Sequence, residues 1–151
     1  MLWTPSVTVK FALTSEPNTF ILAWTTTPWT LPSNLALCAG PSLNYVCLQP
    51  HGSEEKYWIC EGRHSAYFEE GSYQIIKKCD GKELEGLAYE PIFRFADGRV
   101  DLSKARRVLL DEYVSDESGT GIVHQAPAFG EDDLRICQRE GIPVFDPVDT
   151  E

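Results

Sequence analysis

The sequence of 151 residues contains no apolar run that approaches the roughly 18 residues of a membrane-spanning helix. Its N-terminus lacks a basic segment followed by an apolar stretch, so no secretory signal peptide is predicted. Five cysteines are present, but none are spaced as C-x-x-C, a spacing common in zinc sites. These absences predict reduced thiols in a cytoplasmic protein that has no metal site and no contact with a membrane.

Basic residues are also scarce, with 13 lysines and arginines against 23 acidic residues and a net charge of −10. A domain that grips duplex nucleic acid by itself normally presents a basic face, so that function is not indicated. The candidates for contacts to a nucleic-acid backbone are Arg94, Lys104, Arg106 and Arg107. A solvated surface is the simpler explanation for each of them. Phosphate-binding glycine loops, hydrolase G-x-S-x-G elbows and H-E-x-x-H motifs are missing as well.

The sequence does contain enough apolar material for one folded domain, with 42% hydrophobic and 11% aromatic residues. We expect residues 1–151 to form that domain as a piece of a longer chain, with residues 1–4 and 146–151 as connector ends. Many short strand patterns and few helical ones predict an α+β fold. Its core is expected to be β-barrel-like, built of short, mostly antiparallel strands with a few peripheral helices.

Apolar and polar residues alternate from Val7 to Leu13, and this pattern predicts a half-buried strand. The turn at residues 16–18 predicts a hairpin with a second strand over residues 19–27. Thr30 is expected to cap a short helix over residues 31–37. The other predicted strands cover residues 44–48, 57–60, 73–78, 91–95, 107–110 and 120–124. The other predicted helices cover residues 63–70 and 131–140.

The segment with the highest density of polar groups is residues 24–34, which read Trp-Thr-Thr-Thr-Pro-Trp-Thr-Leu-Pro-Ser-Asn. Threonine has little χ1 freedom, so a row of threonines presents hydroxyls and methyls in nearly fixed positions. Such a row suits a small rigid pocket that measures the size of a ligand. In an extended strand Thr25 and Thr27 share one face and Thr26 the other, unless the backbone twists at Pro28. A threonine-rich strand on a solvated face is the alternative explanation.

A second candidate segment, residues 119–133, reads Gly-Thr-Gly-Ile-Val-His-Gln-Ala-Pro-Ala-Phe-Gly-Glu-Asp-Asp. It places His124 at the end of a strand and, after a turn at Gly130, Asp133 in the first turn of a helix. A carboxylate is favoured at that position and would hold a ligand ammonium group. A plain helix cap is the alternative. A further alternative is a Cys-His-Asp hydrolase, in which His124 and Asp133 would act with one of Cys38, Cys60 and Cys137.

The two segments together resemble the editing (CP1) domain that is inserted into isoleucyl-tRNA synthetases. Residues 84–93, Leu-Glu-Gly-Leu-Ala-Tyr-Glu-Pro-Ile-Phe, resemble the same family. The valyl and leucyl enzymes typically carry T-T-R-P where residues 25–28 read Thr-Thr-Thr-Pro, and they typically lack a histidine at the position of His124. Many bacterial isoleucyl enzymes have G-H-G where residues 128–130 read Ala-Phe-Gly, so the chain is closer to the eukaryotic or archaeal type.

The resemblance implies hydrolysis of valine wrongly attached to isoleucine tRNA, and of valyl-adenylate. It assigns the reaction to Asp133 with Thr25 and Thr26. It assigns substrate binding to Thr27, His124, Asn34, Trp24 and Thr30. Thr27 or His124 would limit the size of the amino acid, and Asn34 would hold the terminal adenosine or the ester. No general base is evident, so the expected nucleophile is a water positioned by threonine hydroxyls, backbone carbonyls and a ribose hydroxyl of the substrate.

The resemblance also implies the partners and cofactors. The expected partners are the 3′ end of aminoacylated tRNA(Ile), small aminoacyl substrates and the rest of the synthetase chain, with the domain itself monomeric. The domain needs no cofactor, since ATP and Mg²⁺ belong to the synthetic site of the full-length enzyme. Two alternatives stay open: an editing domain of a valyl or leucyl enzyme, and a non-catalytic barrel that binds RNA or protein.

Overall fold

Short strands that pair into one mixed sheet dominate the computed structural model, which describes residues 7–94, 96–117 and 119–145. In that part of the chain the strands are β1 (Val7–Ala12), β2 (Thr19–Thr25), β3 (Ala36–Ala39), β4 (Asn44–Pro50), β5 (Lys56–Cys60), β6 (Tyr73–Asp80), β7 (Val108–Leu110) and β8 (Ile122–Gln125). The α-helices are α1 (His64–Tyr67), α2 (Gly81–Leu84) and α3 (Glu131–Arg139), and 3-10 helices cover Pro28–Ser33 and Glu61–Arg63. The predicted connector ends, 1–4 and 146–151, lie outside the described residues.

The predicted hairpin of β1 and β2 is confirmed. The two strands pair antiparallel over their full length, from Val7 opposite Thr25 to Ala12 opposite Phe20. Exposure alternates along β1, because the sheet has one packed and one solvated face at this edge. The hairpin loop includes Asn18, whose positive φ of 57° is the left-handed conformation that asparagine tolerates well.

The second edge of β2 is shared by two strands, and this places the two candidate segments side by side. The first half of β2 pairs in parallel with β5, and Trp24 near its end pairs in parallel with Val123 of β8. Since β2 and β8 run in the same direction, their C-terminal ends meet at the same edge of the sheet. Thr25 therefore leaves the sheet beside His124, although the two lie about a hundred residues apart in sequence.

The sheet order is β6-β4-β5-β2-β8-β3-β7, with β1 joined to β2. Among the described residues the pairing ends at β6 and β7, so the predicted barrel-like core is confirmed in the form of a half-barrel with few helices. Most paired residues are antiparallel, as predicted. Three parallel pairings, β2 with β5, β2 with β8 and β3 with β7, were not anticipated.

The predicted helix over residues 31–37 is wrong. The 3-10 helix ends at Ser33, and the next residues form β3, which lies between β7 and β8 with all four side chains buried. A strand that is buried on both faces reads as a continuous apolar run, and periodicity cannot distinguish such a run from a short buried helix. Thr30 is consequently an internal residue of the 3-10 helix rather than its cap.

Three other boundaries differ from the prediction. The helix expected over residues 63–70 is limited to Glu61–Arg63 and α1. Residues 91–94 form no strand, and Phe95 lies outside the described residues. The turn expected at residues 80–81 is a helix start, because the carboxylate of Asp80 accepts a hydrogen bond from the backbone N–H of Glu83 and so caps α2.

Helix α3 carries Asp133 and packs on the sheet through the same face, since residues three and four positions after Asp133 share its side of the helix. Ile136 and Cys137 are fully buried in the cluster that also contains residues of β3 and β7. Arg135 and Arg139 each donate a 3.0 Å hydrogen bond to the carboxylate of Asp111, just beyond β7. The hydrogen bonds from these guanidiniums lower the pKa of Asp111 to about 2. The start of α3 is thereby held at the edge where β2 and β8 end.

Candidate active site

The threonine row, defined as Thr25, Thr26 and Thr27, begins at the end of β2, where the strand turns sharply. The Oγ1 atom of Thr25, the last residue of β2, accepts a 3.0 Å hydrogen bond from the backbone N–H of Thr27. Pro28 then opens the 3-10 helix, because its fixed φ suits a helix start and its missing N–H prevents further sheet pairing. As a result Thr25, Thr26 and Thr27 all border the same cleft, the arrangement expected from a backbone twist at Pro28.

Three hydroxyls of this segment form a continuous chain. Oγ1 of Thr27 lies 3.3 Å from Oγ1 of Thr25 and 3.2 Å from Oγ1 of Thr30. Thr30 donates its own hydroxyl proton to the backbone carbonyl of Thr27 over 2.8 Å. Because each hydroxyl is held by a neighbour, the row is a stiff polar wall rather than a set of free rotors.

Two glycines deliver the neighbouring strand β8 to the site. Gly119 has a φ of +66°, and an added Cβ would lie 2.5 Å from the indole of Trp24. Gly121 has a φ of +78°, and an added Cβ would lie 2.4 Å from the Cβ of Cys60. Only glycine combines this backbone conformation with such close packing. The glycines therefore let β8 lie against Trp24 and bring His124 next to the threonine row.

The hydrogen bonds of His124 define its protonation. The hydroxyl of Thr30 donates its only proton to the carbonyl of Thr27, so its oxygen accepts a hydrogen bond from Nε2 of His124, 2.8 Å away. Nδ1 of His124 lies 2.9 Å from the amide nitrogen of Asn34, which can only donate. His124 is therefore a neutral imidazole with its proton on Nε2. Burial favours the same state, because it lowers the pKa of His124 to about 4.

Asp133 lies in the first turn of α3, next to Gly130. Its Oδ2 accepts a 2.8 Å hydrogen bond from the backbone N–H of Ala126, which orients the carboxylate. An added Cβ at Gly130 would lie 2.9 Å from Oδ1 of Asp133, so a larger residue there would displace the carboxylate. Burial raises the pKa of Asp133, while the bond from Ala126 opposes the rise. A half-buried carboxylate at a helix start is a strong acceptor for a cationic ligand group.

The threonine row, His124 and Asp133 surround one cleft with a volume of about 380 Å³. Its lining consists of Trp24, Thr25, Thr26, Thr27, Tyr113, Val123, His124, Gly130, Glu131, Asp132 and Asp133. The cleft is the size of a small ligand site and combines hydroxyls, a neutral imidazole, an indole and carboxylates. Such a lining can hold the ammonium group and the small apolar side chain of an amino acid together.

Comparisons with known proteins agree with this geometry. No family model matches the chain. An isoleucine–tRNA ligase of Bdellovibrio bacteriovorus is 44% identical over 99% of this chain and 14% of its own length. The cytoplasmic isoleucine–tRNA ligase of Mus musculus is 45% identical over 96% of this chain and 12% of its own length. The chain belongs to the isoleucyl-tRNA synthetase family.

Within this family the chain corresponds to the editing (CP1) domain, as the sequence predicted. It spans only about one seventh of the relatives, 14% in the bacterial case. The fold is that of the editing domain of P. knowlesi cytosolic leucyl-tRNA synthetase, with a TM-score of 0.67 at 16% identity over 90% of this chain and 62% of that one. GlLeuRS-CP1 also has a TM-score of 0.67, at 19% identity over 93% of this chain and 66% of that one.

The structure of this isoleucyl-tRNA synthetase domain distributes the predicted site residues over two groups. Trp24, the three threonines, His124 and Asp133 line the cleft. Thr30 and Asn34 are absent from its lining and lie behind His124, where their polar groups are bound within the domain. Five further residues line the cleft but were not among the predicted site residues: Tyr113, Val123, Gly130, Glu131 and Asp132. Tyr113 follows acidic residues that suggested only a solvated surface, and Val123 lies inside the second segment as an ordinary strand residue.

The alternative of a cysteine nucleophile has no support in the editing-domain geometry. No cysteine of the described residues lines the cleft. Cys38, Cys60 and Cys137 are buried, and burial raises the pKa of all three thiols. A thiol must ionise to attack, and both ring nitrogens of His124 are already engaged. Among the described residues no three His, Cys, Asp or Glu side chains converge as a metal site, and no helix is long and apolar enough to cross a membrane.

Proposed function

We propose that this domain hydrolyses valine wrongly esterified to tRNA(Ile), and valyl-adenylate, as the proofreading site of an isoleucyl-tRNA synthetase. The observation that supports the proposal most strongly is the convergence of the threonine row, His124 and Asp133 on one small cleft. A synthetic site shaped for isoleucine rejects the smaller valine only weakly, and the isoleucyl enzyme is the standard example of this limit. A second, smaller site reverses the selection, because it admits valine and excludes isoleucine.

Asp133 is the proposed anchor for the substrate. An aminoacyl ester carries a free α-ammonium group, which a carboxylate binds through charge-assisted hydrogen bonds. The bond from Ala126 holds the Asp133 carboxylate in one orientation, so the ammonium group is bound in a defined place. The ester carbonyl is then held at a fixed distance from the threonine row, and this placement is the main contribution of the site to the rate.

Thr27 and His124 are proposed to set the size limit. Both side chains line the cleft, and both are held by hydrogen bonds to Thr30, which is absent from the lining. A wall that cannot move discriminates by steric clash, whereas a mobile wall would accept the larger side chain at little cost. The additional methylene of isoleucine would have to displace this network.

The nucleophile is proposed to be a water molecule that is positioned rather than deprotonated by the protein. Both nitrogens of the neutral His124 are used, so the ring has no free lone pair to take a proton. Hydroxyls of the threonine row and backbone carbonyls can orient the water, and a ribose hydroxyl of the substrate can assist. ATP and Mg²⁺ are assigned to the synthetic site of the full-length enzyme, and the editing step itself is proposed to use neither.

A deacylation assay with the full-length synthetase tests the proposal and its two alternatives. We expect rapid hydrolysis of valyl-tRNA(Ile) and much slower hydrolysis of isoleucyl-tRNA(Ile). Preferential hydrolysis of threonyl-tRNA(Val) or isoleucyl-tRNA(Leu) would instead indicate the editing domain of a sister enzyme. Spontaneous rates with every substrate would indicate a barrel that has lost hydrolysis.

The charge of the domain fits a role in which the rest of the synthetase holds the tRNA body. The chain has a net charge of −10, which disfavours binding to a phosphate backbone. Arg94 and Arg106 both pair with Asp97, and Arg107 pairs with Glu140, so these three cations are partly neutralised. We therefore propose that the domain receives only the single-stranded 3′ end. A cytoplasmic location is proposed with it, in line with the mouse relative.

Weak binding of tRNA by the 151-residue chain is the expected consequence of this charge. A fluorescence titration with uncharged tRNA(Ile) at physiological salt should give a Kd weaker than about 1 μM. The full-length synthetase, titrated in parallel, should bind far more tightly. Submicromolar binding by the isolated chain would show that the domain holds the tRNA body itself and would contradict the proposed division of labour.

A further inference from the structure

Tyr89 lies outside the cleft, yet its hydroxyl is connected to His124. The residue is 2% exposed, and its ring packs edge-to-face on Phe11 with ring centroids 5.0 Å apart. Its backbone is fixed by a bridge to Leu13 and by a 3.0 Å hydrogen bond from its N–H to the carbonyl of Arg106. The hydroxyl donates a hydrogen bond to Oδ1 of Asn34. A phenol held this firmly is a directional donor.

The amide of Asn34 has only one orientation that satisfies all its neighbours. Its nitrogen lies 2.9 Å from the carbonyl of Ala36, which can only accept, so this carbonyl favours the orientation with the NH₂ group towards it. The amide oxygen then faces Tyr89 and accepts its proton. The second amide N–H points to Nδ1 of His124 and requires that nitrogen to be unprotonated. Tyr89 and Ala36 together thus determine which nitrogen of His124 carries the proton.

The tautomer of His124 in turn determines the polarity of the threonine row. With the proton on Nε2, His124 donates to Thr30, and Thr30 donates to the carbonyl of Thr27. With the proton on Nδ1, Nε2 would become an acceptor and would attract the hydroxyl proton of Thr30 away from that carbonyl. The carbonyl of Thr27 would then lose its 2.8 Å hydrogen bond from Thr30. One distant hydroxyl therefore affects the wall of the cleft.

We propose that Tyr89 is a positioning residue, which acts through the Asn34 amide to hold His124 as the Nε2–H tautomer and so keeps Thr30 and Thr27 in their working orientation. This assignment gives Asn34 an internal role in place of the direct substrate contact that the resemblance implies. The tautomer itself follows from the hydrogen bonds alone, whereas the effect on catalysis rests on the proposed function.

The Tyr89→Phe variant tests the proposal with little change in packing, because it removes the hydroxyl and keeps the ring on Phe11. The ¹⁵N signals of the imidazoles can be read directly by long-range ¹H–¹⁵N correlation, since the chain has only three histidines. In the unmodified chain at neutral pH we expect His124 to be protonated on Nε2 alone. In Tyr89→Phe we expect a mixture of tautomers. Tyr57→Phe, which removes a hydroxyl bound to Glu55, should leave the His124 signals unchanged.

The kinetic readout uses the full-length synthetase. Loss of one buried hydrogen bond that positions a catalytic wall should lower kcat for valyl-tRNA(Ile) deacylation by about tenfold. KM should stay within about twofold, because the ammonium anchor at Asp133 is untouched. Tyr57→Phe should change neither constant. If Tyr89 merely supported the fold, Tyr89→Phe would lower the unfolding midpoint. The tautomer of His124 would then stay the same, and kcat would not fall selectively while KM is unchanged.

Several outcomes would overturn the proposal. A wild-type His124 protonated on Nδ1, or a Tyr89→Phe variant with an unchanged tautomer, would contradict the assigned role. An unchanged kcat beside a shifted tautomer would confine Tyr89 to an effect without catalytic consequence. If Tyr89→Phe does not fold, the unmodified chain still decides, since a slowly exchanging Tyr89 hydroxyl proton must show a nuclear Overhauser effect to the Asn34 amide. If the unmodified synthetase shows no deacylation at all, the proposed function fails while the tautomer result stands independently.

Discussion

Replacing Asp133 with asparagine is expected to reduce kcat/KM for valyl-tRNA(Ile) deacylation by about two orders of magnitude. The substitution keeps the shape of the side chain but removes the charge that is proposed to bind the α-ammonium group. A half-buried carboxylate contributes more to such a contact than an exposed one, because less water competes for the cation. The bond to the N–H of Ala126 can be kept by the amide oxygen, so the fold should persist. Asp133→Ala should leave no measurable editing.

The matched control is Asp101→Asn. It makes the same substitution at an exposed carboxylate that is absent from the cleft lining and that also accepts a hydrogen bond from a backbone N–H, that of Ser103. We expect its deacylation rate to stay within about twofold of the parent, because an exposed surface charge away from the cleft contributes little. Both variants should be assayed with the full-length synthetase, with aminoacylation measured alongside. Near-normal hydrolysis by Asp133→Asn would reject the anchor role, and an equal loss in both variants would indicate a general charge effect instead.

Local patterns predicted those parts of the fold whose structure is decided locally. The alternation in β1 and the turn before Thr19 specify a hairpin, since one face of β1 packs on the protein and the other faces solvent. The pattern failed at β3, where burial on both faces removes the alternation. The local pattern also could not predict the parallel pairing of β2 with β8, because that contact joins residues about a hundred positions apart and depends on the whole sheet.

Many residues of the candidate site could be predicted from the sequence, but the hydrogen bonds that connect them could not. The composition of the threonine row and the position of Asp133 after a glycine turn predicted residues that the structure places around one cleft. The neutral state of His124 depends on burial and on hydrogen bonds with Thr30 and Asn34, which lie 94 and 90 residues away in the sequence, so no local motif encodes it. Tyr89 did lie inside the third family-like segment, so a signal was present. Its role required the orientation of the Asn34 amide.

The second large effect concerns stability at acid pH, where the buried His124 should weaken the fold. Its folded-state pKa is lowered to about 4, whereas an exposed histidine has a pKa of about 6.5. Between these two values the unfolded chain binds a proton that the folded chain does not bind. The free energy of unfolding is therefore unaffected by His124 above pH 6.5, and it decreases as the pH falls from 6.5 towards 4. The loss from this one group should reach about 3 kcal/mol in the free energy of unfolding.

The acidic groups with shifted pKa values do not mask the loss of stability that His124 is expected to cause between pH 6.5 and 4. Asp111, with its pKa lowered to about 2, loses its contribution only below pH 4. Asp133, whose pKa is raised, acts in the opposite direction, because protonation relieves its burial as the pH falls. Urea unfolding of the 151-residue chain at half-unit steps from pH 7 to 4 measures the sum.

The comparison of two histidine variants isolates the contribution of His124. His124→Gln lowers the stability at pH 7, because the new side chain cannot reproduce both hydrogen bonds, but it removes the titrating group. Its unfolding free energy should therefore fall less between pH 6.5 and 4 than that of the parent, and the two curves should converge. The exposed His51→Gln variant should follow the parent curve throughout. Parallel curves for the parent and His124→Gln would mean that His124 is protonated as easily in the folded domain as in the unfolded chain, and the neutral, Nε2–H imidazole behind the threonine row would then be wrong.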